Sequence, residues 1–267
     1  MNNPDYHYIY RKSYENPVIL FLHGFMGSAH DWLPIMEEIK DRYSSIALDL
    51  PGHGKTTTES NYWERCNIQN VAESICSFLY MLNIQKVYLY GYSMGGRLAM
   101  YMSVFYPCRF KGVIIESASP GIKENRERKI RMQHDSNISK LLISMNYKDF
   151  LNLWYKQPIF SNLNQRADFG SLIKSMEKNN PSQLACALKC LSVARQPELW
   201  SHLKKIKIPM HLLTGEKDIK FTSIANKITK INPSITHKTI KGSGHKIHFE
   251  APMEIVNAIY TFFPAEK

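Results

Sequence analysis

Three side chains that together can move a proton or attack a carbonyl occur in this chain in the order Ser93, Asp218, His245. Ser93 lies in Gly91-Tyr92-Ser93-Met94-Gly95, directly after an apolar run and before a helical pattern, the setting a GxSxG nucleophile elbow requires. A sharp strand-to-helix turn forces strained backbone at the serine, and glycines on either side avoid the clash. The turn lifts the hydroxyl above a sheet at a helix N-terminus, where N–H groups and the dipole favour developing negative charge. Asp218 follows the run ending Leu213-Thr214-Gly215, and His245 sits in the glycine-rich loop Gly242-Ser243-Gly244-His245. Alternatives stand beside each. His248 is a second histidine that reads as packed or surface, while Glu116, ending a strand, and Glu216 compete with Asp218 for the acid. An oxyanion hole needs two N–H donors. The Met94 backbone supplies one, and the loop His23-Gly24-Phe25-Met26-Gly27 nominates the Phe25 N–H as the other. Such a triad serves acyl transfer or proton abstraction, and the motif does not encode which bond breaks.

Positioning these groups calls for strands that end together. Val18–Leu22, Ile46–Leu48, Val87–Tyr90, Gly112–Ile115 and Met210–Leu213 are short apolar runs bounded by turn signals, which predicts buried parallel strands. Between them Ile68, Val71, Ala72, Ile75, Phe78, Leu79 and Leu82 recur at helical spacing, as do Leu98, Met102 and Phe105. Pro252 fits the first turn of a last helix carrying Ile255, Val256, Ile259 and Phe262-Phe263. The alternation predicts an α/β fold with a doubly wound, mostly parallel sheet. From about 122 to 205 the rhythm changes: Ile138, Leu141, Leu142, Met145, Phe150, Leu151 and Trp154 recur every three or four residues with no strand between. This segment is expected to be a helical lid inserted into one domain spanning 1–267.

Composition narrows the function. With 267 residues, 44% of them hydrophobic, there is ample core, and disorder is excluded over most of the length. The net charge of +11 is compatible with nucleic acid, an anionic membrane or an anionic small substrate. The basic residues are scattered without a long block or a nucleic-acid signature, so no nucleic-acid partner is expected. One cluster stands out, Lys123, Arg126, Arg128, Lys129 and Arg131, interleaved with Glu124 and Glu127. No apolar run approaches the roughly 20 residues of a membrane span, and Met1-Asn2-Asn3-Pro4-Asp5 lacks the start of a signal peptide. Five cysteines, at 66, 76, 108, 186 and 190, form no CxxC pair, and an odd count speaks against a full disulfide framework. A reduced, cytoplasmic protein without membrane partner is expected, and nothing in the sequence speaks to oligomeric state. No cluster has metal-ligand spacing.

His23-Gly24-Phe25, Asp49-Leu50-Pro51-Gly52-His53-Gly54, the elbow and Gly244-His245 together resemble the α/β-hydrolase superfamily over nearly the whole chain. A narrower resemblance rests on Gly91–Arg97, Glu116-Ser-Ala-Ser-Pro120-Gly121-Ile122 with the arginines after it, Trp154-Tyr-Lys-Gln-Pro158 and Gly215-Glu-Lys-Asp218-Ile-Lys-Phe221. These segments are similar to the 2-succinyl-6-hydroxy-2,4-cyclohexadiene-1-carboxylate synthases of menaquinone biosynthesis. The resemblance implies a cofactor-free triad that eliminates pyruvate from an anionic cyclohexene substrate, with Tyr92 and Trp154 as substrate contacts. Ser119 stands where some members carry histidine and is given no role. The residues agree physically. Arg97 is one helical turn after Ser93, and Arg128 and Arg131 are three apart on the first lid helix, where guanidinium forks suit carboxylates. Solvated faces are the competing account for these arginines, and lid core is the competing account for Trp154. The rival activities are a carboxylesterase or thioesterase working through an acyl-enzyme, and a non-catalytic ligand receptor on the same fold.

Overall fold

The computed structural model describes residues 3–13, 16–59 and 61–264; Met1 and Asn2 of the opening segment lie outside them. The chain runs β1 (Tyr8–Arg11), β2 (Val18–Leu22), α1 (Leu33–Glu38), β3 (Ser44–Leu48), α2 (Tyr62–Arg65), α3 (Ile68–Met81), β4 (Val87–Tyr92), α4 (Met94–Phe105) and β5 (Phe110–Glu116). Helices α5 (Asn125–Ser144), α6 (Tyr147–Tyr155), α7 (Phe169–Met176) and α8 (Pro181–Cys190) come next. The sheet then resumes with β6 (Met210–Gly215), α9 (Ile219–Ile231), β7 (Thr236–Ile240), α10 (Ile247–Glu250) and α11 (Pro252–Phe262).

The strands form one sheet in the order β1-β3-β2-β4-β5-β6-β7. Among the described residues, β1 alone runs antiparallel to its neighbour in the sheet and the other pairings are parallel. The continuous apolar runs follow from burial on both faces. Leu20 and Leu22 of β2 feed a core shared with α3 and α4, while Ile19 and Phe21 point the other way into a core with Trp32, Ile35, Ile255 and Ile259. A third core of Leu142, Phe150, Leu151, Leu172, Ile173 and Leu184 joins α5–α8 to one another and reaches Met26 in the loop after β2.

All five strands expected from apolar runs are present; β1 and β7 were not expected. Both are edge strands, and Thr236-His-Lys-Thr-Ile240 has the pattern of a strand exposed on most of its length, so no apolar run marks it. One expectation is overturned. The chain is not fully reduced: Cys66 and Cys190 form a disulfide, Cα–Cα 5.3 Å, leaving Cys76, Cys108 and Cys186 as free thiols. Their 124-residue separation hid the pair, since only the packing of α8 against the segment before α3 brings them together. Among the described residues no helix is long and apolar enough to cross a membrane.

Candidate active site

The parallel strands place their carboxyl ends on one edge, because Leu22 pairs with Gly91 and Tyr92 with Glu116 in register. The loops leaving β2, β4, β5, β6 and β7 therefore meet there, the place where open α/β sheets bind ligands. Ser93 occupies the turn between β4 and α4 with φ 49° and ψ −104°, a conformation no unstrained serine prefers. Its N–H donates to the Glu116 carbonyl at 2.8 Å, and Gly95 N–H donates to the His23 carbonyl at 3.1 Å, so the elbow is pinned from both neighbouring strands. Glycine is required at Gly91 and Gly95 by close approach. A Cβ at Gly91 would strike the Gly95 carbonyl, and one at Gly95 would strike the carbonyls of Leu22 and His23.

Asp218, at the start of α9, accepts from His245 Nδ1 at 2.6 Å; their side chains are 2% and 4% exposed. With Nδ1 committed as donor to a carboxylate, Nε2 is left to accept, and Ser93 Oγ lies 3.2 Å from it. The alternatives for base and acid belong elsewhere. His248 is buried and bonds through Nδ1 to Glu116 at 2.9 Å, Tyr90 donates to the same carboxylate at 2.8 Å, and Glu216 accepts from the Gly242 N–H. The loop carrying Phe25 is braced by a buried, neutral His23, whose Nδ1 donates to the Gly24 carbonyl while Nε2 accepts from Leu50 N–H. Burial lowers the His23 pKa, and burial with His23 as neighbour lowers that of His53 to about 3. The Asp49-to-Gly54 loop is held just as tightly. Asp49 accepts from Ala29 and Lys55 N–H, and Gly54 (φ 56°) leaves space that a Cβ would take from this carboxylate.

Ser93, Met94 and Phe25 line a cavity of about 820 Å³ together with Arg97, Arg131 and Trp154. Arg97 reaches across to the segment after α8, its two terminal nitrogens donating to Gln196 Oε1 (2.9 Å) and the Leu191 carbonyl (2.7 Å). Burial first, then the charge of Arg131, brings its pKa down to about 9, so it remains a cation at neutral pH. Arg131 donates to Asp135, which also accepts from Ser192. Trp154 packs against Phe25 and Phe150 and also lines the cavity, so packing among the helices after β5 and cavity lining fall on one side chain. Tyr92 stands apart from this cavity. Its buried ring lies between His245 and His248 and borders a smaller chamber of about 40 Å³ that shares Ser93, Phe25 and Trp154 with the larger one. Arg128 is placed differently from Arg131: its Nε donates to the Ile122 carbonyl at 2.8 Å, clamping the start of α5, and it is not among the residues that line the cavity.

Two features were missed from sequence. Lys220, Ile224, Lys227 and Ile231 form one face of α9 that closes the cavity opposite α5, with Lys230 beside them. The 3–4 spacing was readable, but nothing in the sequence says which way that face turns. Six cations, Arg97, Lys123, Arg131, Lys220, Lys227 and Lys230, thus face Glu124 and Glu127. Lys220 is lowered from the ordinary lysine range by burial and by Arg131. Ser117 lines the same wall at φ 49°, its buried hydroxyl without a hydrogen-bond partner among the described residues; Ser119 is also in the wall.

Residues 17–252 match the alpha/beta hydrolase fold family. The chain is 31% identical over 239 residues to the 2-succinyl-6-hydroxy-2,4-cyclohexadiene-1-carboxylate synthase of Enterobacter sp. (strain 638), covering 90% of this chain and 88% of that one. It belongs to that synthase family. The synthase of Citrobacter koseri is 32% identical over 91% of this chain and 92% of its own length. A solved structure of MenH from S. aureus superposes with a TM-score of 0.89 at 31% identity, covering 98% of each chain. Protein PHYLLO, chloroplastic, of Arabidopsis thaliana is 31% identical over 263 residues, and there this synthase-like chain spans 15% of a much longer protein.

Proposed function

We propose that this protein is a lyase that eliminates pyruvate from 2-succinyl-5-enolpyruvyl-6-hydroxy-3-cyclohexene-1-carboxylate, giving 2-succinyl-6-hydroxy-2,4-cyclohexadiene-1-carboxylate in menaquinone biosynthesis. The observation that carries the reading beyond its family is the charge of the cavity: six cations and two carboxylates around a serine already paired with His245. Guanidinium and ammonium groups converging this way repel one another and favour a ligand with several carboxylates, which this substrate has.

In the reaction His245, oriented by Asp218, draws the proton from Ser93, and the serine oxygen takes the proton from the ring carbon beside the succinyl ketone. That C–H electron pair forms a new ring double bond, the existing one shifts, and the C–O bond to the enolpyruvyl group breaks. The enolpyruvate leaves and takes up a proton to become pyruvate, so no redox change or external reactant is needed. Charge gathering on the succinyl carbonyl oxygen is met by the N–H groups of Met94 and Phe25, and losing one such donor typically costs about 3 kcal/mol. Arg97, Arg131 and Lys220 hold carboxylates, and Trp154 covers the ring. The covalent-acyl reading is the poorer fit, because a neutral ester would leave those cations unpaired. The test is pyruvate release by the purified protein, read through lactate dehydrogenase and NADH oxidation. Release by the wild type and its loss in Ser93→Ala is the expected result; a protein that hydrolyses esters with a burst and releases no pyruvate overturns the assignment.

A further inference from the structure

Lys246 directly follows His245, and its ammonium is buried against the carboxylate of Asp31 at 3.0 Å, the two side chains being 5% and 7% exposed. Neither belongs to the triad or to the large cavity. Burying two charges is costly and is repaid only by close geometry, so a pair this enclosed needs a reason to be there.

Its location supplies one. Asp31 stands just past the turn that carries Phe25, a turn closed by Gly27 N–H donating to the Gly24 carbonyl at 3.0 Å, with Met26 at φ 63°. The Asp31 carboxylate lies so close over this turn that a Cβ on Gly27 would sit 2.8 Å from Oδ2. At the other end Lys246 shares its backbone with the base. Phe25, Gly27, Asp31, Ser93 and Lys246 line one chamber of about 40 Å³. We propose that the Asp31–Lys246 ion pair is a positioning strut that locks the oxyanion-side turn to the histidine loop, fixing the Phe25 N–H and His245 relative to Ser93. Hydrogen bonds within each loop set its local shape, but this bond ties the two loops directly to each other across the chamber. Asp31 stays ionised in spite of burial, because the Lys246 ammonium beside it holds its carboxyl below the usual range. The ammonium also adds positive field to the chamber that Ser93 borders, where oxyanion charge would grow.

The inference rests on Ser93 working with His245 and on the Phe25 turn as oxyanion donor, and is independent of which substrate is used. It is tested with Lys246→Met, Asp31→Leu and the double variant, the last replacing the pair by apolar side chains. Two readouts are compared with the thermal midpoint: the rate at which a fluorophosphonate labels Ser93, and kcat and KM for pyruvate release. Lys246→Met is expected to label at least 30-fold more slowly and to lose kcat in proportion, with KM within threefold. The double variant is expected to regain the wild-type thermal midpoint without regaining the labelling rate. A stable double variant that labels at the wild-type rate makes the pair structural only and overturns the proposal, as does a Lys246→Met enzyme with raised KM and unchanged kcat. Labelling of Ser93 requires no cyclohexene substrate, so failure of the lyase assignment would show separately as a wild type that labels and releases no pyruvate.

Discussion

Asp218→Asn should abolish turnover by changing which nitrogen of His245 carries the proton. In the native site Asp218 Oδ2 accepts from His245 Nδ1 at 2.6 Å, and Oδ1 faces the Phe221 N–H at 3.4 Å. An asparagine can place its single carbonyl oxygen at only one of these positions. Facing His245 with it turns the amide N–H₂ toward the Phe221 N–H, donor against donor in a buried setting, at a cost of about 1–3 kcal/mol. Facing Phe221 with it presents the amide N–H₂ to Nδ1, which must then accept, and the ring proton moves to Nε2. That proton points at Ser93 Oγ, 3.2 Å away, so the imidazole can no longer accept from the hydroxyl. A wrong tautomer in a triad of this geometry lowers kcat by about 10⁴-fold, or about 5.4 kcal/mol of transition-state stabilisation. The substituted side chain keeps its volume, and with the tautomer changed it keeps hydrogen bonds to both His245 and Phe221, so the thermal midpoint should move little. Pyruvate release under saturating substrate measures kcat. An Asp218→Asn enzyme with more than a tenth of the wild-type kcat refutes the tautomer argument and removes Asp218 from the proton path.

Arg97→Lys should lower kcat/KM by tenfold or more, since the single nitrogen of a shorter-reaching ammonium cannot reproduce the planar fork whose two terminal nitrogens reach Gln196 Oε1 and the Leu191 carbonyl; rates at subsaturating substrate check this. Acid should destabilise the fold through His53, whose folded pKa of about 3 lies below its unfolded value of about 6.5: the stability of keeping it neutral is full above 6.5 and is lost as pH falls toward 3. At pH 5 the loss is about 2 kcal/mol, and a His53→Gln variant should show a correspondingly flatter urea midpoint between pH 7 and 5. Cys190→Ser should lower stability by up to about 5 kcal/mol, the loop-closure value for cysteines 124 residues apart, read as a shift in urea midpoint that dithiothreitol reproduces in the wild type. Lys220→Met should raise KM for the anionic substrate and weaken the salt dependence of kcat/KM, because Lys220 lines the cavity that would take the substrate; initial rates at several salt concentrations check this.

What could be read from the chain follows the range of the physics involved. The elbow was legible because Gly91, Ser93 and Gly95 solve a local steric problem, and the structure shows the backbone atoms a side chain would strike. The central strands were legible because burial on both faces demands unbroken apolar runs, as in Val18–Leu22. β7 was not, since an edge strand such as Thr236–Ile240 is stabilised by a partner on one side and needs no such run. Asp218 could be chosen over Glu116 only on loop position; the deciding fact, Glu116 already bonded to His248 and Tyr90, depends on contacts across the sheet. Arg128 and Arg131 looked alike as neighbours on one helix, yet one clamps a carbonyl of its own chain and the other faces the cavity. The face of α9 and the Cys66–Cys190 bond were hidden for the same reason, being set by how distant segments pack.

The division of labour within the site explains how a fold built for acyl transfer can perform an elimination. The triad, the elbow and the oxyanion turn are arranged by the sheet and its first loops, and they would serve a hydrolase equally well. The groups proposed to distinguish an anionic cyclohexene from an ester come from elsewhere: Lys123 and Arg131 from the segment after β5, Lys220, Lys227 and Lys230 from α9, and Arg97 from the helix behind the elbow. In the proposed elimination the serine oxygen takes a proton and forms no bond to carbon, so a ring held still, with its acidic C–H beside Ser93 and its carbonyl in the proposed oxyanion hole, would gain from rigid carboxylate anchors. A neutral ester would bring no carboxylates to these cations, so covalent acyl transfer would leave them unpaired. Moving activity from lyase toward esterase should therefore require changes on α5 and α9 and none in the triad, and a lid and α9 stripped of Arg131, Lys220 and Lys227 should lose pyruvate release while gaining turnover of neutral acyl esters.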